Sequence, residues 1–414
     1  MLRRAFCFLV GTLALAACGA IVQPAPPLIG PTPMQPPSTA VPSGRGVALL
    51  ASLSGPNAAL GPALVNAAQL ALAAPGSPPL AVRDTGGTPA GAAAAARAAL
   101  AAGAGLIIGP LTAAETAAVA PVARQGGVGV LAFTNDPSQA QPGVWTLGIT
   151  PVQQVRRLVG AAMAQNKSRF AAALPNSPFG QSMAAALTQA LASAGGPTPD
   201  IRFYESTNAG ISGTLRDLSA YASRRGPLDA KRRAALALHT AEGRAEAADL
   251  SRQSIPPPPF DSLLLAETGE KLAWLASFLG YYDIAPPTAQ VMGPALWAAP
   301  ATRSGADLNG AWYAAPDPAA RASFEAAYSA KYSTPPPGPA DLAFDAAAIG
   351  RVLAQEGGFS FASLCRPEGF AGVDGLLALQ ADGSVRRGLA LFQIERGGAT
   401  TIEPPPASVS SPGI

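Results

Sequence analysis

The chemistry open to this chain is narrowed by its single histidine, His239, and its three cysteines, Cys7, Cys18 and Cys365. A zinc site or a Ser-His-acid triad would have to rest on His239, which lies in a polar stretch over 224–254; neither is built here. Asp84-Thr85-Gly86 has the form of an aspartyl nucleophile loop. That chemistry needs two carboxylates sharing a proton, and no second D-[TS]-G occurs. S-x-x-K, G-x-G-x-x-G and P-loop patterns are absent as well. The chain therefore reads as non-catalytic, with no cofactor and no metal. Its polar residues of interest lie in short loops, where they can hold a molecule and not transform it.

The first residues fix where such a protein works. Arg3 and Arg4 precede an apolar run over 5–17 that closes on Leu15-Ala16-Ala17-Cys18, a secretory signal too short to span a bilayer. The closing cysteine resembles the lipobox of bacterial lipoproteins. That resemblance implies cleavage before Cys18 and acylation of its sulfur and amine, each buried CH₂ contributing about 0.8 kcal/mol of anchoring. Gly19 stands where some lipoproteins carry the Asp that retains them at the inner membrane. The periplasmic side of the outer membrane is thus the expected site, with inner-membrane anchoring as the alternative. Removal of 1–17 takes two arginines and no acid, so the formal charge falls from +3 to +1. Such a balance supplies no basic face for nucleic acid, and contact with a membrane is expected through the lipid alone. Cys365 is then the sole thiol; it cannot form an internal disulfide and reads as a small buried apolar residue.

Residues 18–44 hold the lipidated Cys and a tether whose eight prolines favour extended chain, up to ~80 Å long. From there the hydrophobic period alternates. Strands are expected at 47–51, 80–82, 106–108 and 128–133, with helices between them. Thr88 and Pro89 open one helix, and the Thr112/Glu115 capping box opens another. Four strand–helix units with short connections require a parallel sheet covered on both faces. Right-handed crossovers put the loops 54–61, 84–88, 110–115 and 134–138 on one edge, where open α/β sheets bind ligands. A second alternating set follows, with strands at 170–174, 201–204, 262–265, 289–292 and 311–313. It is interrupted by a solvated helical insertion over 223–259. Helices at 319–332 and 340–355 come next, then a closing hairpin of 376–380 with 389–394 around Asp382-Gly383-Ser384, and a loose tail over 403–414. The four tryptophans, Trp145, Trp274, Trp297 and Trp312, read as core in preference to a sugar-stacking platform.

The segments VALLASLSGPNAALG (47–61), DTGGTP (84–89), IIGPL (107–111), AVAPVAR (118–124) and VGVLAFTN (128–135) occur in this order in type I periplasmic binding proteins. The chain resembles the leucine/isoleucine/valine-binding family over about 350 residues. This implies a bilobal α/β fold of two three-layer αβα lobes joined by three crossovers. Lobe 1 would hold 45–148 plus about 316–356, and lobe 2 would hold 149–315 plus about 357–402. FDSLLLAETGEKLAWLASFLGYYDI (260–284) with VMGPALW (291–297) resembles one branch, the penicillin-binding-protein activator lipoproteins of Lpo type. Those carry this bilobal fold as their C-terminal domain. Enteric members precede it with a helical-repeat domain, where this chain has only the tether.

An amino-acid receptor needs hydroxyl and backbone donors for the carboxylate, an acid for the ammonium and an apolar pocket. The resemblance places the cleft candidates at Ser54, Asp84, Thr112, Thr134, Asn135, Asp136, Phe179, Glu267 and Trp297. By alignment Ala113 and Asp136 stand where amino-acid binders place hydroxyls. A methyl donates nothing and an ionised aspartate repels a carboxylate. Phe179 stands where the family has a stacking tyrosine. Thr112 and Thr134 remain as donors, although Thr112 is equally a helix cap. Two functions follow as expectations. One is an activator contacting a peptidoglycan synthase; the other is a receptor delivering branched-chain amino acids or related small molecules to an ABC permease.

Overall fold

A computed structural model describes residues 46–408 of the chain. The signal, Cys18, the tether and residues 409–414 lie outside the described part, and so do the expectations attached to them. The first lobe begins β1 (Gly46–Ala51), α1 (Gly61–Ala71), β2 (Leu80–Asp84), α2 (Pro89–Ala101), β3 (Ala104–Ile108), α3 (Ala113–Gly126), β4 (Gly129–Ala132) and β5 (Val144–Thr146). All five strands pair in parallel, in the order 2-1-3-4-5. Because successive strand side chains point to opposite faces, Val47 and Leu49 meet α1 on one side of the sheet. Ala48 and Leu50 meet the alanine-rich faces of α2 and α3 on the other. Thr88 caps α2 by accepting the Gly91 N–H at 3.1 Å, as its position before Pro89 requires.

The second lobe runs α4 (Pro151–Ala164), β6 (Phe170–Pro175), α5 (Pro178–Ser193), β7 (Asp200–Tyr204), α6 (Asn208–Leu218), α7 (Tyr221–Ala237), α8 (Ala241–Arg252), β8 (Ser262–Leu265), α9 (Gly269–Tyr281), β9 (Gln290–Gly293) and β10 (Trp312–Ala315). The chain then returns to the first lobe through α10 (Pro318–Tyr332) and α11 (Ala340–Gln355). α12 (Phe361–Leu364), β11 (Phe370–Gly372), β12 (Gly375–Leu379) and β13 (Val385–Arg387) follow, and β14 (Ala390–Glu395) and β15 (Gly398–Glu403) end in the second lobe. The second sheet has seven strands, in the order 15-14-10-9-8-6-7. Its faces are covered by α4 and α5 on one side and by α6 and α9 on the other. Three crossings between the lobes result, at 147–150, 316–317 and 388–389.

The closing hairpin is built otherwise than the hydrophobic pattern predicts. The turn at 380–384 forms, with the Gln380 N–H bonded to the Ser384 carbonyl at 2.9 Å. Its return strand is the three-residue β13, and β11–β12–β13 make a separate antiparallel sheet. Residues 389–394 belong to β14, which pairs with β10 and β15 in the other lobe. Val385-Arg386-Arg387 escapes a hydrophobic reading because it carries two arginines. Phe370, Leu377, Leu379 and Val385 pack in the first-lobe core. Residues 370–387, expected in the second lobe, therefore stand with the first. The tail begins later than expected: Glu403 ends β15, and Arg157 binds its carboxylate at 2.9 Å and the Pro404 carbonyl at 3.2 Å.

The polar stretch over 223–259 forms a helical hairpin, α7 against α8, with a small core of Ala235, Ala247 and Leu250. Arg224 joins it to the lobe. This guanidinium is 7 % exposed and donates to the carbonyls of Pro256, Ser219, Tyr282 and Asp283 at 2.7–3.2 Å. Charge-assisted bonds of this kind contribute roughly 1.5–3 kcal/mol each against removal of the donor. Arg224→Ala is expected to release the hairpin while leaving both sheets folded. Limited proteolysis should then cut within 221–254 at least tenfold faster, while the strand amides of both sheets stay protected from exchange.

Candidate functional site

Parallel strands deliver their carboxyl-end loops to one rim of each lobe, and the candidate residues fall into two groups accordingly. On the first lobe Asp84 ends β2 and reaches the loop after β1. One carboxylate oxygen accepts the N–H groups of Leu53 (2.9 Å), Ser54 (3.2 Å) and Gly86 (2.8 Å); the other accepts the Ser54 hydroxyl at 2.7 Å. The Ser54 hydroxyl first, and then the Gly86 N–H, hold the Asp84 carboxyl down at about 2. Ser54 and Asp84 are thus brought together as a clasp between two loops. The loops touch so closely that a Cβ on Gly55, which has φ +79°, would meet the Gly86 carbonyl at 2.2 Å.

Beneath the clasp lies a polar knot around Glu115, which is fully buried. One of its oxygens accepts the Thr85 hydroxyl at 2.6 Å and the Ser52 hydroxyl at 3.4 Å. The other accepts the Thr112 hydroxyl at 2.7 Å and the Thr112 N–H at 3.2 Å. The Thr112 hydroxyl in turn accepts the Glu115 N–H at 3.3 Å. Thr112 is therefore engaged as the cap of α3, its one hydroxyl proton given to Glu115. Ser52 and Thr85 escaped sequence reasoning, because a hydroxyl beside a buried acid leaves no local pattern.

Thr134 is buried, and its hydroxyl accepts the Asp136 N–H at 3.1 Å. A hydroxyl that accepts still carries its own O–H donor, so Thr134 keeps a donor at this rim. Asn135 beside it is exposed. Asp136 is half-buried and accepts the Ser138 N–H at 2.9 Å, capping the short 3-10 turn at Pro137–Gln139. Leu53, 40 % exposed, adds an apolar group that the sequence did not mark out.

On the second lobe the Glu267 carboxylate follows β8 and accepts the Tyr204 phenol at 3.4 Å and the Ser206 hydroxyl at 3.3 Å. Burial first, and then the Glu267 charge, push the Tyr204 phenol well above its ordinary range, so it stays a neutral donor. The sequence offers Trp297 both as core and as a cleft candidate. It is fully buried, as the core reading has it, and donates its indole N–H to the Glu267 carbonyl at 2.9 Å. Its ring lies on Gly293, where a Cβ would come within 2.3 Å. Phe179 is half-buried against the core formed with Met183 and Leu187, at the start of α5. Leu296, 52 % exposed in the short 3-10 turn after β9, is an apolar group at the carboxyl end of that strand.

A cavity of about 420 Å³ lies away from both rims, lined by Cys365, Arg366, Gln380 and Arg386 among others. Among the described residues no cluster of His, Cys, Asp or Glu is arranged to hold a metal ion. No described helix is long and apolar enough to cross a membrane.

Two lobes on mainly parallel sheets, three chain crossings and a rim of strand-end loops on each lobe define the bilobal binding-protein class. The chain matches the periplasmic binding protein family over residues 46–399 and belongs to it. Among solved structures it is similar to a putative branched-chain amino acid ABC transporter protein from Rhodospirillum rubrum, at 17 % identity over 86 % of this chain and 100 % of that one, with TM-score 0.65. It is also similar to full-length LpoA from Haemophilus influenzae, at 18 % identity over 88 % of this chain, with TM-score 0.61; the match spans 60 % of that longer protein. The C-domain of that LpoA, described as a regulator of PBP1A, matches at 17 % identity over 87 % of this chain and 100 % of the domain, with TM-score 0.60. No curated protein matches the chain significantly.

The clasp is open to test. Asp84→Ala should speed amide exchange at Leu53, Ser54 and Gly86 and leave the core of the first sheet protected. Because its carboxyl lies below the ordinary 3.8, the wild-type clasp is complete above that range and is lost as pH falls toward 2.

Proposed function

We propose that this chain is a non-catalytic regulator of cell-wall synthesis, an outer-membrane lipoprotein of the penicillin-binding-protein activator type. One observation carries the reading. At the first-lobe rim the hydroxyl of Thr112 is engaged with Glu115, Ala113 offers a methyl, and Asp136 presents a carboxylate. A rim so composed is poorly suited to a free amino-acid carboxylate, since it has lost donors and gained a negative charge. The likeness of 260–297 to the activator branch, and the lipobox ending at Cys18, support the same reading. Regulation would then act through contact with a peptidoglycan synthase. Purified bifunctional synthases of the same cell are expected to bind the chain and to polymerise or crosslink faster in its presence; absence of both effects would reject the proposal.

A second reading is favoured by a different pair of groups. Thr134 keeps an O–H donor on one rim, and Glu267 presents a carboxylate on the other. Together they suit the two charged ends of an amino acid, as the substrate-binding component of an ABC importer requires. A ligand at 100 times its Kd adds about 2.7 kcal/mol of stability. A thermal-shift series across branched-chain amino acids, amides and muropeptides should therefore give a clear rise for one class if this reading holds. Under the regulator reading the amino acids give none.

A further inference from the structure

Five charged side chains are packed together where the lobes join. Asp341 and Asp345 lie one turn apart on α11, Asp374 sits in the turn between β11 and β12, Arg387 ends β13, and Arg321 comes from the start of α10. Asp341, Asp345, Asp374 and Arg387 are each at most 3 % exposed. Arg321 binds Asp341 at 2.9 Å and approaches Asp374 at 3.5 Å; on its outer side it meets Glu325 at 3.4 Å. Arg387 stands 4.0 Å from the second oxygen of Asp374 and donates to the Leu147 carbonyl at 2.6 Å. One Asp345 oxygen accepts the Val373 N–H at 2.8 Å, while the other is buried without a partner. That oxygen faces Gly372, where a Cβ would stand 2.5 Å from it.

The cluster bonds the first crossing and is joined through the chain to the other two. Leu147 opens the first, Arg321 lies in the helical turn that follows the second, and Arg387 immediately precedes the third. Its charges do not balance, since three buried carboxyls face two guanidiniums. A buried surplus charge is costly, so the packed arrangement suits one neutral acid.

We propose that this cluster is a proton-operated latch on the hinge: with one carboxyl protonated it holds the three crossings together, and on losing that proton it loosens them. Asp345 is the natural seat of the proton, because its second oxygen has no donor to satisfy a negative charge. Burial first, and then the Asp374 charge, raise its carboxyl to about 7, and burial and Asp374 raise Asp341 as well. The sign follows from linkage. An acid raised in the latched state and ordinary in the loosened state favours latching at low pH. That advantage shrinks as pH rises from about 4 to about 7 and is constant above.

Amide exchange of the wild-type chain tests this, read at Val373, Leu147 and Gly388 after correction for intrinsic base catalysis. The opening constant should rise by up to tenfold per pH unit between pH 5 and 7 and level off beyond. Asp345→Asn supplies a permanent neutral group and leaves two acids against two arginines, so its profile should be flat and protected at pH 8. Arg387→Gln removes a counter-charge and should carry the rise to higher pH. Carbon-13 titration of the Asp345 carboxyl gives an independent reading in the unaltered protein. A flat wild-type exchange profile, an unchanged slope in Asp345→Asn, or an Asp345 carboxyl titrating below pH 5 would each overturn the latch.

Discussion

The two lobes depend on long polar side chains that satisfy the backbone where the chain passes from one sheet to the other. A buried carbonyl at a crossing has no strand neighbour, and leaving it unpaired costs free energy comparable to a lost hydrogen bond. Arg157 on α4 donates to the Leu389 carbonyl at 2.9 Å, and Gln153, one turn earlier, donates to the Val385 carbonyl at 2.7 Å. Arg387 donates across to Leu147. The first and third crossings are thereby held side by side, and Gln153 serves twice, since its side-chain oxygen also accepts the Thr150 N–H at 3.0 Å in the capping box of α4. Once these crossings are fixed, the rims are fixed too, because the strands and loops on either side follow from them.

Rim chemistry in this protein is largely turned inward. Asp84 ties two loops, Glu115 gathers three hydroxyls, Glu267 accepts from Tyr204 and Ser206, and Trp297 is buried on Gly293. Each of these groups has the type a ligand site uses, yet each is bonded within its own lobe, Glu267 through one oxygen. What faces outward is a smaller set, with Asn135, Leu53 and Leu296 the clearest members. The helical hairpin is attached in both ways, by the carbonyl-bound Arg224 and by Tyr221 packed on Tyr281 and Tyr282.

Much of the architecture was legible in the amino-acid pattern, for a definite reason. Parallel strands buried on both faces appear as continuous apolar runs, and β1, β3, β6 and β8 are such runs. Helix starts were equally local: Thr88, Thr112 and Thr150 cap the helices that follow them through contacts spanning three residues. The pattern failed where a strand is short and charged, as in β13, or polar at a sheet edge, as in β15, because neither carries the apolar signature that marks a buried strand.

By itself, then, the sequence determined the two alternating lobes and the rim from which the loops project, since these follow from local period and local caps. Only the tertiary structure decided which rim side chains are engaged, which sheet the late strands join and where the surplus buried charge sits. Those outcomes depend on contacts between residues as distant as Arg387 and Leu147 or Arg321 and Asp374. A hydrogen bond across the fold leaves no periodic trace in the chain that makes it.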